Sequence, residues 1–159
     1  MNRRLSLIAL ASSALLAACA TTPAPAPLAE TLARDPQLST FTRLVMQAGL
    51  ADELRAAGPV TVFAPSDEAF KAVPAKTMEA LAADPAQLKS VLAYHIIEGR
   101  VTAADVKAGP AKTRQGASMS LAKAGSFVTV DDAVVQQADI VATNGVAHVI
   151  DRVLMPPKK

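Results

Sequence analysis

Five side chains in this chain are of the types that hydrolases use, so catalysis is the first function to consider. They are Ser66, Asp67, His95, His148 and Asp151. A serine hydrolase needs a nucleophile on a strained turn, typically in a G-x-S-x-G segment, and a histidine base oriented by a carboxylate. Ser66 lies instead in an Ala-Pro-Ser-Asp segment, where a hydroxyl is typical of a helix N-cap. The sequence therefore predicts that the protein is not an enzyme.

The two histidines belong to no recognisable metal motif. His95 and His148 stand 53 residues apart, and neither lies in an H-E-x-x-H segment or beside a carboxylate cluster. Asp131 and Asp132 lack the graded oxygen ligands of a calcium-binding loop, so they are typical of a turn between strands. Glycine-rich phosphate loops are also absent from the sequence. We expect neither a metal ion nor a cofactor.

Charge and aromatic content exclude nucleic acid as a partner. The 159 residues carry 16 Lys and Arg against 14 Asp and Glu, and Arg3 and Arg4 account for the surplus. Binding to nucleic acid strengthens with the number of phosphates that the protein neutralises, and a balanced chain offers little of this. A platform for stacking bases is also missing, because the chain has no Trp, one Tyr and four Phe.

The first 19 residues have the pattern of an export signal. Arg3 and Arg4 precede a charge-free run, Leu5–Ala18, whose 14 residues are fewer than the about 20 that a membrane-spanning helix needs. The run ends in Leu-Ala-Ala-Cys, which resembles the lipobox of bacterial lipoproteins. That resemblance implies cleavage before Cys19 and acylation of this residue. The alternative is that Cys19 is incidental and that an ordinary signal peptidase cuts after Ala20.

The rest of the chain divides into a spacer and one domain. Pro23, Pro25 and Pro27 alternate with alanines shortly after Cys19, a composition typical of extended polyproline II chain. We therefore expect a signal peptide over residues 1–18, a lipid-anchored linker over 19–30 and a single domain over 31–157. Because Cys19 is the only cysteine, the domain relies on its apolar core without a disulfide.

Periodicity predicts helices in the first half of the domain and strands in the second. Ser39 or Thr40 can cap the first helix and Gly49 ends it, while Asp84 before Pro85 predicts another helix start. The segments predicted as helices are 40–48, 51–57, 67–70, 77–83 and 85–93. The segments predicted as strands are 60–64, 94–97, 111–114, 118–121, 127–130, 133–135, 140–142 and 146–154. This order indicates an α+β domain rather than an alternating parallel sheet.

Three segments in register resemble the signatures of fasciclin-like (FAS1) domains. Residues 61–70 resemble the first signature, Tyr94-His95-Ile96 resembles the central tyrosine–histidine motif, and residues 144–154 resemble the second signature. The resemblance covers about residues 31–157 and implies a β-sandwich or wedge of about seven short strands flanked by several helices. It also implies an adhesion or interaction role with no catalytic site.

The same motifs contain the residues for which we expect structural or recognition roles. Pro65 ends a strand, Ser66 or Asp67 accepts from the amides of the next helix, and Asn144-Gly145 predicts a tight hairpin turn because both tolerate positive φ. The structural motif residues are Phe63, Pro65, Ser66, Asp67, Asn144, Gly145 and His148. The resemblance further implies four candidate interaction residues, because animal members of the family use the matching segments in recognition. They are Tyr94, His95, Asp139 and Ile140.

Two roles remain open for His95. Its apolar neighbours predict a buried, neutral imidazole, and the region of Thr61, Ser66 or Asp67 could supply partners for both ring nitrogens. The alternative is an exposed residue that contacts a partner.

Two functions from different classes follow from these observations. The first is a non-enzymatic, envelope-anchored module that acts as a monomeric domain, is held to the membrane by the lipid on Cys19, and binds another protein or a matrix component. The alternative is a periplasmic small-ligand carrier with an apolar pocket in the wedge. In a Gram-negative host, Ala20 after the cysteine resembles the pattern for sorting to the outer membrane, where the domain would face the periplasm or the cell surface.

Overall fold

Helices occupy most of the first half of the domain and strands the second. The computed structural model describes residues 24–56 and 58–157. Within these residues the helices are α1 (Leu28–Arg34), α2 (Ser39–Gln47), α3 (Ala51–Ala56), α4 (Asp67–Lys71), α5 (Ala75–Ala83) and α6 (Pro85–Tyr94), with a 3-10 turn at Pro36–Leu38. The strands are β1 (Val60–Pro65), β2 (Ile96–Glu98), β3 (Gly109–Lys112), β4 (Ser118–Ala124), β5 (Phe127–Val130), β6 (Ala133–Ala142) and β7 (Gly145–Ile150). The predicted α+β class is confirmed.

The seven strands form one sheet that rolls toward closure. Their order is β2-β1-β7-β6-β5-β4-β3, and every neighbouring pair is antiparallel except β1 and β7. A bridge between Ile97 and Thr113 joins the strands at the two ends of this order. The family resemblance suggested a sandwich or a wedge, and the sheet is a single near-barrel wedge, because the end strands meet instead of forming a second layer.

Strand β1 separates two apolar clusters. All six of its residues are buried, because alternate side chains point to opposite sides of the sheet and both sides are covered. Val60, Val62 and Ala64 belong to the cluster that packs against the helices. Phe63 points the other way, into the barrel interior, where Tyr94 and other buried side chains fill the space. The mostly apolar, β-branched and aromatic sequence of β1 therefore reflects burial on both faces.

The folded domain begins earlier than the sequence indicated. Helix α1 starts at Leu28, inside the segment predicted as linker, and Leu28 and Leu32 are buried in the helix-side cluster. Asn144 also binds the first turn of α1, because its side-chain Oδ1 accepts a 2.8 Å hydrogen bond from the N–H of Leu28. The proline-rich composition concealed this helix, whose stability comes from tertiary contacts. Cys19 and the predicted signal peptide lie outside the described residues.

Several predicted element boundaries are wrong for identifiable reasons. Tyr94 is the last residue of α6 and His95 is its C-cap, so the predicted strand starts only at Ile96. Strand β6 is continuous across the gap predicted between 135 and 140, because register shifts on either side of Gln137 absorb the irregular segment. Strand β7 ends at Ile150 and does not extend to Leu154.

No helix in the described part of the chain is both long and apolar enough to cross a lipid bilayer.

Candidate functional site

His95 lies at the corner between α6 and β2, and its ring is completely buried. Nδ1 lies 2.8 Å from the carbonyl oxygen of Val91, and Nε2 accepts a 3.0 Å hydrogen bond from the backbone N–H of Leu154. A carbonyl can only accept and an N–H can only donate, so the ring is neutral and carries its proton on Nδ1. Burial lowers the pKa of His95 to about 4, which is consistent with this state.

The partners of His95 differ from those suggested by the sequence. Thr61, Ser66 and Asp67 were the expected partners, yet the ring binds backbone groups of Val91 and Leu154. Thr61 instead binds the chain after β2, where its hydroxyl donates to the carbonyl of Gly99 at 2.8 Å and accepts from the N–H of Val101 at 2.8 Å. Because the ring is inaccessible, a partner cannot contact His95 directly on the folded surface.

Tyr94, another candidate interaction residue, points into the barrel. Its side chain belongs to the interior cluster, and its hydroxyl donates a 2.8 Å hydrogen bond to Oδ2 of Asp131. The other carboxylate oxygen of Asp131 accepts from the N–H of Ser120 at 2.7 Å. Burial, the hydrogen bond and the charge of Asp131 raise the pKa of Tyr94 to about 12. The residue is 3% exposed, so it connects α6 to the β5–β6 turn and is not available at the surface.

The expected turn at Asp131-Asp132 joins β5 to β6. The backbone conformation and hydrogen bonds of Asp131 show why an aspartate suits the first position. Asp131 has a φ of 50°, a left-handed conformation that short polar residues tolerate better than others. Its carboxylate accepts hydrogen bonds from the hydroxyl of Tyr94 and the N–H of Ser120, which hold the turn in place. In the described ranges no group of three or more His, Cys, Asp or Glu residues could hold a metal ion.

His148 is the second buried imidazole, and its tautomer is the opposite of that of His95. Its Nε2 lies 2.8 Å from the carbonyl of Val101, whereas Nδ1 accepts from the N–H of Asp139 at 3.2 Å. The proton therefore resides on Nε2. Burial lowers the pKa of His148 as well, and its ring stacks on Phe63 with 5.4 Å between the centroids. The histidine positions the loop after β2 against β6.

Asp139 and Ile140, the remaining candidate interaction residues, lie at the bulge of β6. Asp139 is exposed and has a φ of 59°, and its carboxylate accepts a 2.8 Å hydrogen bond from the N–H of Ala103. Ile140 is half-buried and packs against the helix-side cluster. Asp139 is therefore the accessible member of the four, although its carboxylate already helps to hold the loop at Ala103.

Ser66 and Asp67 follow β1 and have separate capping roles. Ser66 caps α4, because its hydroxyl accepts from the N–H of Ala69 at 3.3 Å. Asp67 caps a different helix: Oδ1 accepts from the N–H of Thr40 at 2.8 Å and Oδ2 from the hydroxyl of Ser39 at 2.6 Å. The prediction that Ser39 or Thr40 caps α2 is therefore wrong, because a carboxylate 27 residues away in sequence does so.

Asn144 and Gly145 lie at the β6–β7 turn, as the hairpin prediction required. The reason for these residue types is not the positive φ that the prediction assumed. Neither residue has a positive φ. A Cβ on Gly145 would collide with the backbone carbonyl oxygen of Val60 and would lie 2.7 Å from Cδ1 of Leu28. The side-chain amide of Asn144 donates to the carbonyl oxygens of Leu54 and Arg55. The pair therefore brings α1, α3 and β1 together at one point.

The hydrolase-type residues do not assemble into a triad among the described residues. Both nitrogens of each histidine are occupied by backbone groups, as described above. Ser66 is committed to the cap of α4, and Oδ1 of Asp151 accepts from the N–H of Val134 at 2.7 Å. In the part of the chain that the structure describes, Ser66 forms no hydrogen bond with His95 or His148, a contact that this chemistry requires.

A surface groove that the sequence analysis did not anticipate lies beside α5. It has a volume of about 980 Å³ and lies between helices α4, α5 and α6 and the segment 152–157 that follows β7. Leu81 and Val91 line it as buried aliphatic residues, while Lys76 and Arg152 contribute the charged side chains. The lining residues are dispersed along the chain, so no local sequence pattern could have revealed them.

Comparisons with known proteins agree with this architecture. A family model described as fasciclin domain matches residues 36–156. Protein sll1483 of Synechocystis is 39% identical over 132 residues, which cover 82% of this chain and 73% of that protein. The cell surface glycolipoprotein MPB83 of Mycobacterium bovis is 35% identical over 136 residues, which cover 82% of this chain and 61% of that protein.

Among solved structures, a FAS1 domain pair from the insect cell adhesion molecule fasciclin I has the same fold. The two structures align with a TM-score of 0.65 and 20% sequence identity. The alignment covers 82% of this chain and 51% of the FAS1 domain pair.

Proposed function

This chain belongs to the fasciclin domain family, and on that premise we propose that it is a non-enzymatic, envelope-anchored module that binds another protein or a matrix component through an exposed face. The solved relative, an insect cell adhesion molecule, supports an adhesive role for this fold. The commitment of Ser66, His95 and His148 to structural hydrogen bonds supports a function without catalysis.

The observation that carries the proposal is the exposure of Phe127 at the start of β5. Its side chain is 67% exposed, although phenylalanine is among the residues most often buried. Thr129 lies two residues further along the same face of β5 and pairs with Val134 of β6, which is 37% exposed. These three residues form the β5–β6 face, in which Phe127 and Val134 supply the apolar area that a partner would remove from water.

Export and anchoring are the second part of the proposal. The cationic start, the charge-free run and Cys19 match a lipoprotein signal, and the relative MPB83 is described as a cell surface glycolipoprotein. Acylation of Cys19 would place several aliphatic chains on one residue, which suffices for stable attachment to a membrane. We propose the outer membrane as the final location, because Ala20 follows the cysteine.

Mass spectrometry of the purified N-terminus tests the anchoring. A lipid-modified N-terminal Cys19 is expected, and Cys19→Ser should accumulate as an unacylated precursor. An unmodified N-terminus at Thr21 would overturn the lipoprotein assignment. Recovery of the acylated protein with the inner membrane would overturn only the outer-membrane location.

Binding can be tested with beads that carry the full chain and are incubated with envelope and matrix preparations. Beads that carry Phe127→Asp should retain less of the partner than beads that carry the unmodified protein, because a charge at the β5–β6 face opposes burial of that face. Met46→Asp is the matched control, since Met46 is 60% exposed on α2. Equal retention by both variants would overturn the assigned face, and no specific retention by the unmodified protein would overturn the proposed function.

A further inference from the structure

The groove beside α5 has the dimensions and lining of a small-molecule site. Its volume of about 980 Å³ lies within the range of ligand pockets, roughly 300–1,000 Å³. It shares no lining residue with the β5–β6 face, so what it binds is independent of the proposed adhesive function. Binding at this groove and binding at that face can therefore be tested separately.

The lining is aliphatic rather than aromatic. Leu81 and Val91 are buried at the groove, Val73 and Val153 are half-buried, and Met155 is 43% exposed along one wall. No aromatic side chain lines the groove in residues 24–56 and 58–157. A planar ring system would find no stacking partner here, whereas an extended hydrocarbon chain could contact methyl and methylene groups along its length.

The charged groups that line the groove are all cationic. Lys76 on α5 and Arg152 after β7 both line it, and no acidic side chain of the described residues does so. Lys71 and Lys89, on the neighbouring helices α4 and α6, form ion pairs with glutamates, but no ion pair is formed by Lys76 or Arg152 with any described residue. A guanidinium offers a planar pair of donors that matches a carboxylate.

Amide and hydroxyl groups complete the lining. The side-chain nitrogen of Gln115 donates to the hydroxyl of Ser90 at 3.3 Å, and its oxygen accepts from the N–H of Ala117 at 3.2 Å. These contacts hold Gln115 at the groove while one of its two amide hydrogens is left for a ligand oxygen. A few positioned polar groups around an aliphatic lining are typical of sites for small amphipathic molecules.

We propose that this groove binds an amphipathic carboxylate, in which an unbranched aliphatic chain lies along the accessible side chains of Val73, Val153 and Met155 and the carboxylate meets Arg152 and Lys76. The hydrocarbon supplies most of the buried area, and the two cations fix the orientation of the molecule. The groove is a separate binding site on the helical side of the domain.

Photolabelling of the full chain in its membrane tests the site. The probe is decanoate that carries a diazirine in its chain, and mass spectrometry locates the labelled peptides. We expect labelling within residues 75–83 and 152–157, competed by unlabelled decanoate and about tenfold less well by decanol, which lacks the charge. Labelling confined to other segments, or equal competition by decanol, would overturn the proposal.

Two variant pairs separate binding from misfolding. Ala80→Trp places an indole in the groove and should abolish labelling, whereas Ala82→Trp, on the same helix but outside the lining, should not. Arg152→Gln should weaken competition by decanoate about tenfold, while Arg100→Gln, at an exposed position outside the groove, should leave it unchanged. Wild-type behaviour of both Ala80→Trp and Arg152→Gln would overturn the assignment.

Discussion

The backbone N–H of Leu154 donates a 3.0 Å hydrogen bond to Nε2 of His95, 59 positions earlier in the chain. The other ring nitrogen donates to the carbonyl of Val91, so one imidazole joins the last turn of α6 to the segment that follows β7. That segment also forms one wall of the groove. His95 is buried, yet through Leu154 it positions the segment that forms this wall of the groove.

Acid should destabilise the domain through His95. Its pKa is lowered by burial from 6.5 to about 4, so between these values the unfolded chain binds a proton more readily than the folded one. The contribution of His95 to the free energy of unfolding is therefore fully present above about pH 6.5. Between this pH and about pH 4 the unfolding free energy falls by roughly 3 kcal/mol. His148, whose pKa is also lowered by burial, acts in the same direction.

Denaturant unfolding at a series of pH values measures this effect. His95→Gln removes one titrating group, so the unfolding free energy of this variant should depend less on pH than that of the wild type. The pH dependence that remains in this range should include the contribution of His148. Equal wild-type stability at about pH 7 and about pH 4 would contradict a buried, neutral His95.

Ionisation of Tyr94 should require strongly alkaline solution. Burial and the hydrogen bond to Asp131 raise the pKa of Tyr94 to about 12. Tyr94 is the only tyrosine and the chain has no tryptophan, so the ultraviolet absorbance of phenolate reports on this one residue. Asp131→Asn should lower the pKa by removing the adjacent negative charge, and the denatured protein should titrate near 10. A native titration near 10 would show that the side chain is open to solvent.

Gly145→Ala should strongly destabilise the domain. The added Cβ would meet the backbone of Val60 and the side chain of Leu28, and neither the parallel β1–β7 pairing nor α1 can move freely. Overpacking of this kind costs about 1–3 kcal/mol or more. Gly58→Ala is the control, because its Cβ would meet nothing within 4 Å. Equal melting temperatures for the two variants would contradict the close approach at Gly145.

Asp67→Ala should weaken the N-terminus of α2 by about 1 kcal/mol, the usual value of a cap. Although burial opposes ionisation, the hydrogen bonds from Ser39 and Thr40 and the charge of Lys71 outweigh it and lower the pKa of Asp67. The stabilisation is thus present above about pH 4 and is lost as the pH falls further. The neighbouring Glu68→Ala is the control, since it removes only an exposed ion pair. A cap role would be contradicted if both variants unfolded at the same denaturant concentration.

Features that depend on near neighbours in the chain could be read from the sequence. Asp84 caps α6 directly before Pro85, and Ser66 caps α4, because each cap binds an amide two or three positions ahead. The strand at residues 60–64 was predicted from its β-branched and aromatic residues, and β1 occupies Val60–Pro65. The three family signatures extended this local information to a correct fold class.

Contacts between segments that are distant in the chain could not be predicted from local sequence patterns. Asp67 caps α2 rather than its own helix, and His95 binds Leu154, which no local pattern links to it. Gly145 is required by the approach of β1 and α1, although the sequence suggested a turn conformation. Helix α1, whose first three residues lie in the predicted linker, has no local signal, because a short helix after prolines is stabilised mainly by the core that it covers.

The order of residues therefore determined the α+β class and the main helices and strands, since helix caps, turn residues and hydrophobic periodicity act over a few positions. Which groups each histidine ring binds, which tautomer it adopts and where a groove opens depended on segments that meet only after the sheet has rolled up. Tyr94 shows the difference: its motif suggested recognition, but its hydroxyl is turned inward to Asp131. A side chain's exposure and hydrogen-bond partners are properties of packed neighbours, and packing joins residues that the chain holds far apart.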